Sequence, residues 1–341
     1  MTPAMPVETL ITIPFPEHLL NRLRGISPKL NINSAPAARP EDIPTETWAH
    51  TEVLYTTSIL PAPEQVPALR WVQFHFAGID HYVSHPLLQK DDLLVTTLSG
   101  AAMSQVAEYA LTMILALGRK IPALASSQKK TEWPKDRYER FAPFELRGKT
   151  IGIVGYGSIG RQLARLLQPF GVTILAAKHD AKQTQDRGYT PDGLGDPQGD
   201  FVHRIYPFQA LASMLKECHF VVVAVPLTAQ TRGLLNAKML NALKPGAYLV
   251  DISRGGITDP TALLDALKSG RLAGAALDVF SEEPLPANSP LWQIPNVIIT
   301  PHISGSSPHY EERAVDLFSE NLHRYLGGLP LYNLFDRHRG Y

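Results

Sequence analysis

The 341-residue sequence has a single cysteine, no surplus of charge of either sign, and no long apolar run. One thiol, Cys218, excludes a disulfide within the chain and suits a reducing compartment, so a cytoplasmic location is expected. Cys218 stands just before the apolar run 220–225 and reads as a buried structural thiol rather than a nucleophile. Lys and Arg number 32, and Asp and Glu 32. Nucleic acids and anionic membranes need a basic surplus, so neither is expected as a partner. The most apolar stretch, 109–117, is about half the ~18 residues of a membrane span. The opening Met1-Thr2-Pro3-Ala4-Met5-Pro6 has neither a basic segment nor a continuous apolar one, so no secretory signal is read there. The histidines show no metal-ligand spacing apart from His81 and His85, and no metal site is expected.

What is present is enough apolar residue, 44%, for two sizeable cores, and the length suits two domains. In the first third, short apolar runs at 9–13, 30–32, 53–55, 71–76 and 93–97 predict strands, separated by Pro-rich loops. Helix-length connections between them predict a small parallel sheet. A helix is predicted from Ser104, with Val106, Tyr109, Ala110, Met113, Ile114 and Leu117 on its apolar stripe. The charged, aromatic segment 129–147 reads as a connection between domains. From Thr150 a regular βα rhythm sets in. Strands are predicted at 151–154, 172–176, 220–225, 247–252, 273–277 and 297–300, and near-continuous Val, Ile and Ala mean strands covered on both faces. That predicts a doubly wound sheet. The stretch 178–204, with four glycines, two prolines and no apolar period, interrupts the rhythm and reads as a long loop. The tail 308–326 reads as a helix again.

Gly155-Tyr156-Gly157-Ser158-Ile159-Gly160 follows one predicted strand and opens a helix. In that context G-x-G-x-x-G binds a dinucleotide: glycines for the tight turn, backbone approach and close packing, and a helix N-terminus for the pyrophosphate. The next strand would end in an acidic residue if it met the ribose 2′-hydroxyl of NAD. Here it ends in Lys178-His179, and a lysine suits a 2′-phosphate. NADP(H) is therefore favoured and NAD(H) remains possible. The alternative is a solvated Lys178, with Asp180 bending back to the ribose.

Four polar residues follow successive strands: Arg254, Asp278, Glu283 and His302. In an open α/β sheet, ligands bind beyond the carboxyl ends of the strands, where the glycine loop also lies. Arg binds carboxylates in bidentate fashion, His donates protons near neutral pH, and a carboxylate beside the imidazole favours its protonated form. This set suits hydride reduction of a 2-oxo acid, with the cofactor carrying the hydride.

These residues and their flanks resemble the D-isomer-specific 2-hydroxyacid dehydrogenases. The resembling stretches are Val106-Ala107-Glu108, the glycine loop, Val225-Pro226-Leu227-Thr228, Ser253-Arg254-Gly255-Gly256, Ala276-Leu277-Asp278-Val279-Phe280 through Glu283-Pro284, and Thr300-Pro301-His302-Ile303-Ser304-Gly305. The resemblance implies an oxidoreductase interconverting a 2-oxo acid and a D-2-hydroxy acid with NAD(P). Arg254 would bind the substrate carboxylate and carbonyl, His302 would be the acid–base, and Glu283 its partner. Asp278 would meet the nicotinamide amide. Pro226 and Thr231 would line the cofactor, with Ile252 and Gly305 beside it. Gly78 and Ile79 would offer backbone N–H groups to the substrate. The resemblance further implies a homodimer and two doubly wound α/β domains facing a cleft. A smaller flavodoxin-like substrate domain (1–118 and 306–341) would be interrupted by a Rossmann cofactor domain (119–305). Phe74, Phe76 and Tyr82 hint at an apolar or aromatic substrate group. The sequence departs from the family pattern at Asp251, where Asn is usual, at Lys178, and in the long stretch 178–204. The second reading open at this point is a dinucleotide-sensing, corepressor-like binding protein on the same fold.

Overall fold

The computed structural model describes residues 6–341; residues 1–5, on which the reading of no secretory signal largely rests, lie outside the described residues. Along the chain run β1 (Val7–Ile11), α1 (Glu17–Arg24), β2 (Leu30–Ser34), α2 (Thr45–His50), β3 (Val53–Thr56), β4 (Trp71–Phe74) and β5 (Leu94–Thr96). There follow α3 (Met103–Gly118), α4 (Ile121–Lys129), α5 (Arg137–Arg140), β6 (Thr150–Val154), α6 (Ser158–Leu167), β7 (Thr173–Lys178), β8 (Arg204–Pro207), α7 (Leu211–Leu215) and β9 (Phe220–Val223). The last elements are α8 (Ala237–Ala242), β10 (Ala247–Asp251), α9 (Pro260–Lys268), β11 (Leu272–Leu277), β12 (Val297–Ile299) and α10 (Tyr310–Leu326). No helix among the described residues is long and apolar enough to cross a membrane.

The chain forms two compact units. One takes the chain up to Ala102 and resumes with Ser307–Tyr341; the other is Met103–Ser306. Both sheets are parallel throughout, as the sequence predicts. The first unit has the strand order β2-β1-β3-β4-β5, the flavodoxin-like arrangement. The helix beginning at Met103 belongs to the second unit, so the boundary falls at 102 rather than after Gly118. The reason is packing: α3 lies against α6, β10 and β11. Residues 129–147 also differ from expectation. They are part of the second unit, where Phe144 packs edge-on to Phe220 and Tyr248 with centroids 5.4 and 5.8 Å away.

In the first unit the stripe of α10 buries Ala314, Val315, Leu317, Phe318 and Leu322. Phe318 sits 4.7 Å from the Tyr55 ring and 5.4 Å from that of Trp71, centroid to centroid. The short α1 presents Leu19, Leu20 and Leu23 to the same cluster. Its eight residues, preceded by Pro16, are too few to show a period in the sequence. His75, just after β4, is buried among Phe15, Tyr55, Phe76 and Tyr310. Its Nδ1 lies 2.7 Å from the Tyr55 hydroxyl.

The second unit has seven strands in the order β12-β11-β10-β9-β6-β7-β8. The direction of winding reverses between β6 and β9, which is where such sheets bind ligands. Strands β9 and β10 are buried along their whole length. Cys218 is a structural thiol, as expected: its Sγ donates to the Met214 carbonyl, and burial pushes the thiol up to about 12. The stretch after β7 is an ordered insert built on buried charge. Arg161 of α6 donates to the carbonyls of Asp196 (2.5 Å) and Thr184 (2.6 Å), and its Nε faces the Asp186 carboxylate at 3.5 Å. The Asp196 carboxylate accepts from the Tyr156 hydroxyl (2.5 Å) and from the amides of Gly199, Asp200 and Phe201. Charged groups can be buried at this cost only because donors and acceptors surround them. The insert ends in the edge strand β8, whose only buried side chain, Tyr206, leaves no apolar run to read in the sequence.

Burial holds the His75 imidazole down, at about 4. Unfolding returns it to its ordinary value of about 6.5, so between those values the unfolded chain binds the proton more readily. The contribution of neutral His75 is complete above pH ~6.5 and is lost as the pH falls toward ~4. His75→Gln should therefore flatten the acid loss of stability by roughly 3 kcal/mol across that window, read from urea midpoints. An identical pH dependence in both proteins would refute this.

Candidate active site

The dinucleotide turn lies between β6 and α6. Gly155 has φ +105°, and a Cβ there would stand 2.5 Å from the Ala224 carbonyl oxygen. A Cβ on Gly160 would stand 2.3 Å from the Gly155 carbonyl, so α6 can pack this closely only without one. Gly157 is exposed, with open space where its Cβ would be, and no side chain caps α6. Ser158 and Ile159 open that helix and are partly buried. The turn thus fits a pyrophosphate: a bare backbone and a helix N-terminus with no competing anionic cap. On the neighbouring turn, Thr231 Oγ1 donates to the Pro226 carbonyl (2.6 Å) and accepts from the Thr228 amide (2.8 Å). Ile252 is buried, and its amide bonds to the Val223 carbonyl.

Lys178 is the last residue of β7 and is partly buried; His179 beside it is exposed. The Lys178 ammonium donates to the Gln183 carbonyl at 2.6 Å. Burial first, and the Arg161 charge second, lower its affinity for the proton.

Arg254 follows β10 in a turn held by a buried carboxylate. Asp251 accepts from the Ser253 amide (3.1 Å), the Ser253 hydroxyl and the Thr258 hydroxyl (2.6 Å). Burial raises the Asp251 pKa, opposed by those hydrogen bonds. This gives the departure from Asn a clear place: the residue ties both ends of the turn that presents Arg254. Arg254 itself is partly buried and donates to the Ser253 carbonyl at 2.8 Å.

Glu283 and His302 meet directly. His302 Nδ1 lies 2.8 Å from Glu283 Oε2, and Glu283 Oε1 accepts from the Phe280 amide at 2.9 Å. The carboxylate is therefore oriented by backbone on one side and faces the imidazole on the other. His302 follows β12 and has φ +51°, the left-handed region. Both side chains are about one-third to two-fifths exposed, so solvent and substrate can reach them.

Asp278, expected at the nicotinamide, is completely buried. Its Oδ1 accepts from the Thr300 hydroxyl (2.6 Å) and the Ile303 amide (2.9 Å), and Oδ2 from the Ser304 amide (2.9 Å). The Gly305 carbonyl accepts from Gln105 of α3 at 3.1 Å. Gly78 and Ile79 lie in the first unit, in the turn after β4, with Ile79 buried in that unit's core. Phe74, expected to shape a pocket, is instead a core residue stacked on Tyr82 at 5.7 Å; of the three aromatics there, Phe76 is the large exposed one. Sequence reasoning missed Tyr156, Arg161 and Asp196, whose pairing spans an insert with no period of its own. It also counted Tyr109 merely as an apolar stripe residue.

The family model for the D-isomer specific 2-hydroxyacid dehydrogenase NAD binding domain matches residues 111–304. A glyoxylate reductase of Thermofilum pendens is 35% identical over 270 residues, covering 78% of this chain and 74% of that protein. A D-3-phosphoglycerate dehydrogenase of Methanocaldococcus jannaschii is 32% identical over 251 residues, 74% of this chain and 44% of that protein. The crystal structure of a D-isomer specific 2-hydroxyacid dehydrogenase from Xanthobacter autotrophicus Py2, in complex with NADPH and MES, has a TM-score of 0.79 and 29% identity. It covers 99% of this chain and 100% of that one. With the glycine turn, the strand-end arrangement and these matches together, the chain belongs to the D-isomer-specific 2-hydroxyacid dehydrogenase family, as an NAD(P)-dependent enzyme.

Proposed function

We propose that the protein reduces a short 2-oxo acid to its D-2-hydroxy acid, with NADPH preferred over NADH and His302 as the proton donor. The observation that carries this reading is the His302–Glu283 pair, 2.8 Å apart on the strand edge that also bears the glycine turn. When bound, the nicotinamide supplies the hydride. Glu283 engages Nδ1, which leaves Nε2 as the atom that gives a proton to the developing alkoxide. The carboxylate beside the ring fixes the orientation in which Nε2 faces the reacting oxygen. Arg254, a fixed and permanently charged fork, pairs with the substrate carboxylate and polarises the adjacent carbonyl. That relatives are named glyoxylate reductases supports glyoxylate or a comparably small acid as substrate. Lys178 supports the NADPH preference: no acidic side chain ends β7, and its ammonium is held in place by the Gln183 carbonyl. A single buried, inert thiol suits a reducing cytoplasm. A homodimer would cover the exposed Ile121, Leu124, Trp133 and Tyr138 of the second unit.

Replacing His302 by Ala should lower kcat for glyoxylate reduction by roughly 10²- to 10⁴-fold, the usual contribution of a general acid. The dinucleotide Kd, read by fluorescence titration, should hardly change. Equal loss of binding and turnover would remove His302 from this role.

Steady-state kinetics with both dinucleotides test the cofactor preference. Lys178→Asp should move the ratio of kcat/KM values toward NADH by about tenfold or more, equivalent to about 1.4 kcal/mol. A wild-type protein that already prefers NADH tenfold would show the reading of Lys178 to be wrong. Sedimentation of the purified protein should give twice the chain mass.

A further inference from the structure

The turn that carries His302 is tied from beneath by a chain of hydrogen bonds that begins on α3. Thr300 has one hydroxyl proton, and it donates that proton to Asp278 Oδ1 at 2.6 Å. The Tyr109 hydroxyl lies 2.6 Å from the same Thr300 oxygen, so Tyr109 must be the donor in that contact. The bonds run in one direction, Tyr109 to Thr300 to Asp278. Burial raises the Tyr109 phenol to about 12, which keeps it a donor across the working pH range. Four residues before Tyr109, and so on the same face of α3, Gln105 donates to the Gly305 carbonyl. Asp278 in turn binds the amides of Ile303 and Ser304. Residues 300, 303, 304 and 305 are thus all fastened, and His302 sits among them at a positive φ that a side chain rarely adopts. Such a conformation persists only where the surroundings over-determine it.

We infer that Tyr109, Thr300 and Asp278 are positioning residues for catalysis, a hydrogen-bonded splint anchored on the buried Asp278 that holds the His302 turn so that its imidazole stays aligned with Glu283. In this assignment the duty of Asp278 is to fix the turn. The inference rests on the reading of His302 as the proton donor. A small displacement of a reacting group costs rate far more than it costs ligand binding. The splint should therefore register in kcat per dinucleotide-binding site, and leave dinucleotide affinity alone.

The test compares Thr300→Val, Thr300→Ser and Tyr109→Phe with wild type and with His302→Gln. All are assayed with glyoxylate and NADPH, with unfolding midpoints and dinucleotide Kd measured in parallel. Thr300→Val should lower kcat about tenfold or more, and Tyr109→Phe about threefold, with the dinucleotide Kd within about twofold of wild type. Thr300→Ser, which keeps the hydroxyl, should restore most of the loss. With kcat taken per dinucleotide-binding site, mere loss of folded protein leaves it unchanged, whereas misalignment of the His302 ring lowers it. Tyr109→Phe keeps the Thr300–Asp278 bond, so it remains informative if Thr300→Val does not fold. If His302→Gln is inactive while Tyr109→Phe, and Thr300→Val where it folds, keep wild-type kcat per dinucleotide-binding site, the splint is overturned and the role of His302 stands. If His302→Gln is fully active, the role of His302 fails and the splint with it.

Discussion

Parallel pairing of the seven strands in the second unit sends every carboxyl end to the same edge, and the residues proposed to carry the chemistry lie along that edge. The glycine turn follows β6, Lys178 closes β7, Arg254 follows β10, Asp278 follows β11 and His302 follows β12. Because helices cover both faces of a parallel sheet, the strand interiors are apolar and polar groups are confined to the ends. The 220–223 run of Phe and Val and the all-buried β10 show how complete that separation is. Reversal of winding at β6 and β9 opens the edge where a dinucleotide can lie.

Strand ends alone do not fix a loop, and in this protein three buried aspartates do so. Asp251 ties the Arg254 turn, Asp278 ties the His302 turn, and Asp196 ties the insert to the glycine turn through Tyr156. Each is almost wholly removed from water, and each carboxylate accepts at least three hydrogen bonds. A buried carboxylate is tolerable only under those terms, and the same terms make it an efficient organiser of backbone N–H groups that no strand partner satisfies. The formal net charge of zero therefore conceals a division of labour. Some acids are spent inside the fold on geometry, while Glu283 remains accessible to face the imidazole.

The first unit is held together differently. Within its largely aliphatic core a chain of ring contacts runs from Phe15 to Tyr55, Phe318 and Trp71, and α10 packs residues 310–326 onto the sheet of β1–β5. Such packing depends on apolar area rather than on a named partner, so the buried residues of that helix show in the sequence as a periodic stripe that does not reveal what they pack against.

Much of the outcome was legible in the sequence alone. Apolar runs with no alternation specify buried parallel strands, G-x-G-x-x-G between a strand and a helix specifies the dinucleotide turn, and the stretches around Arg254, Asp278, Glu283 and His302 carry the resemblance to the family. These signals are local, or repeat with the period of their element, so a linear reading captures them. What only the tertiary structure decided is how distant residues share protons. The placement of α3 in the second unit, the splint from Tyr109 through Thr300 to Asp278, and the lock of Tyr156 on Asp196 join residues 191, 22 and 40 positions apart. No spacing announces such a bond, because it depends on two side chains from distant elements meeting where an unmet donor or acceptor, once shielded from water, costs more than the bond itself contributes.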